Sequence, residues 1–343
     1  MNKLKTLGLS ALAGSLAITT AANAVDYAVT GDAYVSWSSQ DSESTEAASG
    51  KGVAVDTDLY FNASGELDNG FTVSFYQGVN THGAFSNTSS QVTLGMGSMG
   101  TLQINNKFGS KANAIDDVMP NAMQETWDRV ADASATNPSF FGADTQMGSI
   151  DYRIPTLDLM GASVNFAVTY DPAVGEGSYN ASTGGVATNV SGVAYVLQVS
   201  AMGLEVGAGL EEIDNDQGQT LASAEVNSTV YAKYAMGPIS IGIQEAYENN
   251  RNGTGVEGAD REAEFMGVAY TAGDFSVSYG ESSIQTKAVS DTAVGKEQDL
   301  EAVQASYTMG AMTIMANFSE GSNIGGTANK NYEETSVAVN FTF

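Results

Sequence analysis

The 343-residue sequence predicts an all-β fold, a 16-stranded antiparallel transmembrane β-barrel with a long third external loop. Three observations predict it: apolar and polar residues alternate along most of the chain, tight glycine turns recur at regular spacing, and long polar segments separate them. Alternation with a period of two is typical of strands whose two faces meet different surroundings. Closure of the sheet also leaves no unpaired strand edge in lipid.

The segment 1–24 is predicted to be a cleaved signal peptide. Two lysines precede an apolar stretch at 7–18, and the sequence Ala-Asn-Ala ends the segment with small residues. The apolar stretch is shorter than the roughly 20 residues that a membrane-spanning helix needs. We therefore expect an exported chain whose mature part, 25–343, forms a single barrel domain.

Composition narrows the class of protein further. Forty Asp and Glu residues against 13 Lys and Arg residues give a formal net charge of −27. This balance argues against nucleic acid as a partner, since binding it depends on basic residues that neutralise phosphates. The sequence contains no cysteine, which excludes disulfides and thiolate metal sites.

Repeated short turns set the strand count. Gly203, Gly237, Gly273 and Gly310 each lie in a short turn before an alternating run, and they are spaced by 34, 36 and 37 residues. Such a repeat accommodates two strands of about ten residues, a short turn and a longer loop. Eight repeats of this kind predict sixteen strands.

One turn imitates a nucleotide-binding motif. Gly95, Gly97 and Gly100 match the spacing of the dinucleotide fingerprint, which requires a helix directly after it. The residues after Gly100 read Thr-Leu-Gln-Ile-Asn, which predicts a strand. The match is therefore interpreted as another tight turn, with glycine supplying the positive φ that short hairpins need.

The longer connections are predicted at the opposite ends of the strands. They are expected at 39–51, 78–90, 107–144, 172–190, 211–222, 248–261, 281–298 and 319–332. One strand does not fit the alternation, because Glu262 and Glu264 share the phase of the apolar Met266. Either the preceding loop extends further or a bulge reverses the phase there.

These features together resemble the general, non-specific porins of Gram-negative bacteria. The resemblance rests on the Ala-Asn-Ala leader end, the sixteen-strand rhythm, the long third loop and the closing Ser-Val-Ala-Val-Asn-Phe-Thr-Phe at 336–343. It implies a homotrimer of water-filled outer-membrane barrels in contact with lipid and lipopolysaccharide. It further implies passive diffusion of small hydrophilic solutes and ions, past a third loop that folds inward and faces basic residues on the wall.

The third loop is the candidate pore constriction. Loop 107–144 is the longest, and structureless loops of that length are uncommon without a function. Its carboxylates are expected to line the narrow part of the pore, where they would attract cations and repel anions. The acidic residues assigned to the constriction are Asp116, Asp117, Glu125, Asp128 and Asp132. The alternative interpretation is a solvated external loop in an acidic protein.

Three basic residues are candidates for the pore wall. Lys107, Arg153 and Lys233 follow the phase of polar neighbours in their strands, so we expect them to point inward. A charge on the lipid face at mid-membrane would cost about 2–4 kcal/mol, which supports this orientation. The alternative for Arg153 is a pairing with Asp151 on the wall alone.

The sequence predicts neither an enzyme nor a bound cofactor. His82 is the only histidine, and no nucleophile with a matching context accompanies it. Asp214, Asp216 and Glu225 have the spacing of some EF-hand ligands, but the glycine is at the wrong place. The sequence leaves open whether the external loops bind Ca²⁺ loosely. The rival functions are a substrate-selective channel, a non-conducting structural or adhesive surface barrel and, least supported, an exported hydrolase.

Overall fold

The computed structural model describes residues 26–43, 49–81, 85–143, 145, 148–174, 190–215, 225–249, 260–288 and 292–343. Within these ranges the chain forms sixteen strands, of which β6 comes in two segments on either side of Pro155. The strands are β1 (Asp26–Ser42), β2 (Gly50–Glu66), β3 (Thr72–Asn80), β4 (Ser86–Gly95), β5 (Thr101–Lys107), β6 (Ile150–Arg153 and Leu157–Leu159), β7 (Ala162–Asp171), β8 (Val190–Ala201), β9 (Leu204–Asn215), β10 (Glu225–Met236), β11 (Ile239–Asn249), β12 (Asp260–Ala272), β13 (Phe275–Lys287), β14 (Gln298–Met309), β15 (Met312–Ser322) and β16 (Tyr332–Thr342).

Short 3₁₀ turns are the helical elements in this part of the chain. They lie at Gly97–Met99, Asn113–Ile115, Trp127–Arg129 and Ile324–Gly326. A search of the described residues finds no helix with the length and apolar character needed to span a membrane.

The sheet closes on itself. Each strand pairs antiparallel with its neighbour in sequence, and β1 pairs with β16 from Asp32 opposite Thr342 to Ser42 opposite Tyr332. Two further backbone hydrogen bonds join Gly31 and Phe343, with N–O distances of 2.7 and 2.9 Å. The predicted fold class, a closed 16-stranded antiparallel barrel, is therefore confirmed.

Glycine supplies the positive φ of the short turns, as predicted. Gly100 has a φ of 91° and is followed by β5, so the dinucleotide-like motif is a turn between strands. Gly203 has a φ of 84°, and a Cβ at this position would lie 2.4 Å from the carbonyl oxygen of Ala235. A side chain is thus excluded there both by conformation and by space.

The two faces of the wall differ as the alternation predicted. The outer face carries exposed apolar side chains, among them Trp37, Val53, Ile243, Val303, Phe318 and Val337. The inner face carries buried polar side chains, among them Asn227, Gln244, Gln298, Gln304 and Ser336. The apolar belt outside and the polar lining inside are the arrangement that lipid and an aqueous lumen require.

The segment around 262–264, whose sequence did not fit the alternation, forms a regular strand. β12 pairs with β11 without interruption from Arg261 opposite Glu248 to Tyr270 opposite Ile239. Neither a longer loop nor a bulge is present, and Glu262 and Glu264 lie on the outer face beyond the apolar belt. The phase did not reverse, because the outer face itself changes from apolar to acidic along the strand.

This change defines an acidic row on the outer wall, which we call the acidic collar. It consists of residues directly opposite one another on five adjacent strands: Glu281, Glu301, Glu320, Glu333 and Asp41. The collar lies on the long-loop side of the apolar belt, since Val303 and Phe318 are nearer the short turns. Like charges in such positions repel one another.

Several predicted loops are shorter than expected: residues 39–42 belong to β1, residues 78–80 to β3 and residues 86–90 to β4. Residues 211–215 belong to β9 and residues 281–287 belong to β13, although both segments were predicted as loops. Their acidic composition suggested loops, but in β9 the carboxylate of Glu211 is buried on the inner face and in β13 Glu281 belongs to the collar.

Candidate functional site

The third loop runs along the inner face of the barrel. Backbone N–H groups of the loop donate hydrogen bonds to side-chain oxygens of the wall, which belong to Glu211 on β9, Gln244 on β11, Ser278 on β13 and Gln304 on β14. These strands lie within the run from β9 to β14, on one side of the ring. The described part of the loop therefore lies inside the barrel and covers the wall from β9 to β16.

Small residues on the wall make room for the loop. Gly242, Gly267 and Gly280 are directly opposite one another on β11, β12 and β13. A Cβ on Gly267 would lie 2.9 Å from the Cβ of Met119, closer than such atoms approach, and one on Gly280 would lie 2.5 Å from Oγ1 of Thr126. We call these three residues the glycine track.

Apolar contacts also hold the loop against the wall. One buried cluster joins Ile115 and Phe141 of the loop to Ala194, Val196 and Tyr231 of the wall. A second joins Met119 and Phe140 of the loop to Ala246, Ala263, Phe265 and Ile284. The two buried clusters thus lie between the loop and one half of the wall.

Four of the five predicted constriction acids form one group, which we call the acidic lip: Asp116, Asp117, Glu125 and Asp128. Burial is the main cause that raises the pKa of Asp116 to about 7 and that of Asp117 to about 6. Burial, together with the charges of the other three lip carboxylates, raises the pKa of Glu125 to about 9. At neutral pH Asp117 is therefore mostly ionised, Asp116 is about half ionised and Glu125 is mostly protonated, so the negative charge of the lip grows as the pH rises.

Asp132 does not belong to the acidic lip. Its side chain is 3% exposed, accepts a hydrogen bond from the Ser42 hydroxyl of β1 and accepts one from the backbone N–H of Ser134 at 2.8 Å. The backbone N–H of Ala131 donates to the Tyr332 hydroxyl at 3.3 Å. The assignment of Asp132 to the pore lining was wrong, because its carboxylate anchors the loop to the wall.

Arg153 and Lys233 lie on the inner face, as predicted, but both are paired there. The Arg153 Nε lies 2.5 Å from a carboxylate oxygen of Asp151, and its Nη2 donates to the carbonyl of Gly109 at 2.9 Å. The Lys233 Nζ lies 3.2 Å from Glu205 and 5.4 Å from the centre of the Tyr231 ring. The positive charge of both residues is thus largely compensated by wall carboxylates.

Lys107 and Arg261 complete the basic residues of this region. Lys107 has a φ of 68°, ends β5, and its Nζ donates to the carbonyl oxygen of Asn87 at 2.6 Å. Arg261, which sequence reasoning did not single out, forms a two-pronged ion pair with Glu248 and lies 5.2 Å from the Phe140 ring centre. Its inward phase in β12 was the signal that could have found it.

Across the lumen, the wall that the loop leaves open is also acidic. Asp32, Asp56 and Asp58 lie on the inner faces of β1 and β2. In the ring of sixteen strands, β2 lies eight strands from β10, so this wall is opposite the half that the loop covers. The Tyr60 hydroxyl donates to Asp32 at 2.9 Å, and the Tyr60 and Tyr76 rings stack with centres 6.0 Å apart.

Counted along the strands, the acidic residues of this open wall and the glycine track lie at comparable distances from the short turns. Asp32 and Asp58 are six and eight residues from the short-turn ends of their strands, and Gly267 and Gly280 are five residues from theirs. Carboxylates therefore border the lumen on both sides.

Some of the predicted features lie outside the described residues. They are the leader 1–24, His82, Asp144 and Asp216. Among the residues that the structure does describe, no three or more His, Asp or Glu side chains are grouped so as to hold a metal ion. Calcium binding by the external loops stays a prediction.

The chain matches the family model of Gram-negative porins over residues 8–343. With the closed barrel and its inner loop, this match shows that the chain belongs to the Gram-negative porin family and is an integral β-barrel protein of the outer membrane. No sequence among the curated proteins matches it.

Solved structures with a similar fold include three outer-membrane proteins. The trimer form of OmpT from Vibrio cholerae has a TM-score of 0.62 at 11% identity, covering 94% of this chain and 100% of that one. The anion-selective porin from Comamonas acidovorans has a TM-score of 0.64 at 13% identity, covering 93% and 100%. The channel DcaP of Acinetobacter baumannii has a TM-score of 0.64 at 10% identity, covering 93% and 97%. At these identities the likeness concerns the fold alone.

Proposed function

We propose that this chain forms a homotrimeric, water-filled channel that prefers cations and lets small hydrophilic solutes cross the outer membrane by passive diffusion. The observation that carries the cation preference is the acidic lip, which faces a second acidic wall across the lumen. Three basic residues of the inner wall, Arg153, Lys233 and Arg261, are each paired with a wall carboxylate and so add little net positive charge to the lumen. Bore and electrostatics then determine what passes, with no covalent step.

The assembly and the lipid contacts are part of the same proposal. OmpT of Vibrio cholerae has been described in a trimer form, and its fold is similar to that of this chain. The apolar belt would contact lipid chains, and the acidic collar would lie among the headgroups of the outer leaflet. Conductance that rises in groups of three equal steps would support the trimer.

The test is the reversal potential of the purified protein in a planar bilayer under a KCl gradient. We expect the sign that reports K⁺ preference, and a marked loss of this preference in the combined variant Asp116→Asn, Asp117→Asn and Glu125→Gln. The control is Asp68→Asn with Asp274→Asn, which removes exposed carboxylates from the short turns. Anion preference, or a lip variant that behaves like the control, would contradict the proposal.

A substrate-selective channel is the second candidate, and the stacked Tyr60 and Tyr76 are the observation that favours it. Their ring faces and the neighbouring carboxylates of Asp32 and Asp58 offer both apolar and hydrogen-bonding contacts to a solute in the lumen. Solute-dependent reduction of the ion current would saturate for such a channel. A current that changes in proportion to solute concentration favours simple diffusion.

A further inference from the structure

Buried glutamines of the inner wall hold the backbone of the third loop. Gln244 on β11 is 2% exposed. Its Oε1 accepts a hydrogen bond from the N–H of Val118 at 3.0 Å, and its Nε2 donates to the carbonyls of Ile115 and Asp116 at 2.9 and 3.0 Å. One side-chain amide thus satisfies both kinds of backbone group in the loop.

Two glutamines on β14 bind the loop in the same way. Gln304 accepts from the N–H groups of Met123 and Gln124 at 3.1 and 3.2 Å and donates to the carbonyl of Gln124 at 2.9 Å. Gln298 accepts from the N–H of Thr136 at 2.9 Å and donates to its carbonyl at 2.7 Å. We call Gln244, Gln298 and Gln304 the glutamine clamps.

The clamps differ in their distance along the chain from the acidic lip. The Gln244 clamp binds on both sides of Asp117, and the Gln304 clamp ends at the residue before Glu125. The Gln298 clamp binds at Thr136, beyond the lip. Two clamps therefore fix the backbone that carries the lip. The third fixes the return of the loop and also accepts a hydrogen bond from the backbone N–H of Gly325 at 3.0 Å.

The choice of glutamine has an electrostatic consequence. A lysine or arginine could donate to loop carbonyls, but it could not accept from N–H groups and would neutralise lip carboxylates. A glutamate could accept but not donate. An amide satisfies both kinds of group and adds no charge, so the loop is held without changing the field in the lumen.

We propose that Gln244 and Gln304 are positioning residues for ion selectivity, which hold the lip carboxylates at the edge of the lumen. The proposal rests on the proposed cation-preferring channel. It assigns Gln298 a purely mechanical role, although Gln298 has the same chemistry and is buried to the same degree. This difference between like residues makes the proposal testable.

The experiment compares Gln244→Met, Gln304→Met and the matched control Gln298→Met in the full-length mature protein. Methionine keeps the length of the side chain but cannot bind the loop backbone, so buried N–H and C=O groups lose their partners. Heat-modifiable migration in SDS gels verifies that each barrel is closed. The two readouts are the reversal potential in a KCl gradient and hydrogen exchange of the loop amides.

We expect amide exchange to rise about tenfold at the released segment in each variant, since the loss of a buried hydrogen bond is worth about one factor of ten or more. The K⁺ preference should fall in the Gln244 and Gln304 variants and stay at the wild-type value in the Gln298 variant. Where a methionine variant does not fold, Gln→Asn at the same position retains the amide on a shorter side chain and replaces it in the comparison.

Two results would overturn the proposal. The first is unchanged K⁺ preference in both the Gln244 and the Gln304 variants, with closed barrels and faster exchange of the loop amides. This result would show that the clamps hold the loop without setting selectivity. An equal loss of selectivity in all three variants would remove the distinction between clamps. A wild-type barrel that does not conduct refutes the channel function itself, and hydrogen exchange then still decides whether the clamps hold the loop.

Discussion

Asp116, Asp117 and Glu125 lose their protons above the range of ordinary carboxylic acids, with pKa values of about 7, 6 and 9. As the pH rises through this interval, the lip gains negative charge. We therefore expect the K⁺ preference to increase between about pH 5 and pH 10, most steeply near these pKa values. Reversal potentials measured at a series of pH values check this. A flat profile in the wild-type protein, or the same slope in the combined lip variant, would be inconsistent with the lip as the selectivity element.

The same shifts determine how the stability of the loop depends on pH. A carboxyl whose folded-state pKa is raised binds its proton more tightly in the folded state, so folding is favoured below the unfolded pKa, and this contribution is lost as the pH rises through the folded pKa. The folded loop is thus most stable when the carboxyl groups of the lip are protonated. We expect exchange of the loop amides, corrected for intrinsic rates, to accelerate from about pH 5 to about pH 9, and the acceleration to shrink in Asp117→Asn.

Among the elements, we expect the third loop on its glycine track to set the bore. Gly267→Val places atoms where the backbone and side chain of Met119 and Pro120 already lie. Overpacking of this kind costs about 1–3 kcal/mol and displaces the mobile partner, here the loop, toward the lumen. We expect a lower single-channel conductance. Gly52→Val is the matched control, because a Cβ at Gly52 meets nothing within 4 Å. Equal conductance in both variants would mean that the track does not set the position of the loop.

At the level of elements, the sequence predicts the wall better than the loop. Alternation reports which face of a strand is polar, so the inward phases of Arg153 and Lys233 could be predicted. It does not report which polar group meets which, because Gln304 binds a loop residue 180 positions away in sequence. Asp132 resembles the lip acids in sequence, and only its contact with Ser42 distinguishes it. The predicted start of the loop at Glu211 was wrong for a similar reason. The sequence does not show the hydrogen-bond partners of a buried glutamate, so its charge suggested a loop.

At the scale of the whole molecule, carboxylates line both sides of the lumen, so we expect the proposed selectivity to depend on salt. Screening shortens the reach of charge from about 10 Å at 0.1 M salt to about 3 Å at 1 M. We expect the K⁺ preference to weaken steadily as the mean KCl concentration increases over this range at a fixed gradient. Reversal potentials at several mean concentrations measure it. A preference that does not change with salt would point to direct ion coordination instead of the summed field.

The glutamine clamps affect which positions of the third loop can vary in evolution. They bind main-chain atoms of the loop, and main-chain atoms are the same whatever side chain a residue carries. We therefore expect substitutions among the lip residues to leave the attachment intact while they change the ion preference. The residues that hold the loop backbone and the residues that carry the lip charge are thus different positions, so we expect the lip charge to be altered by single substitutions without loss of the folded barrel.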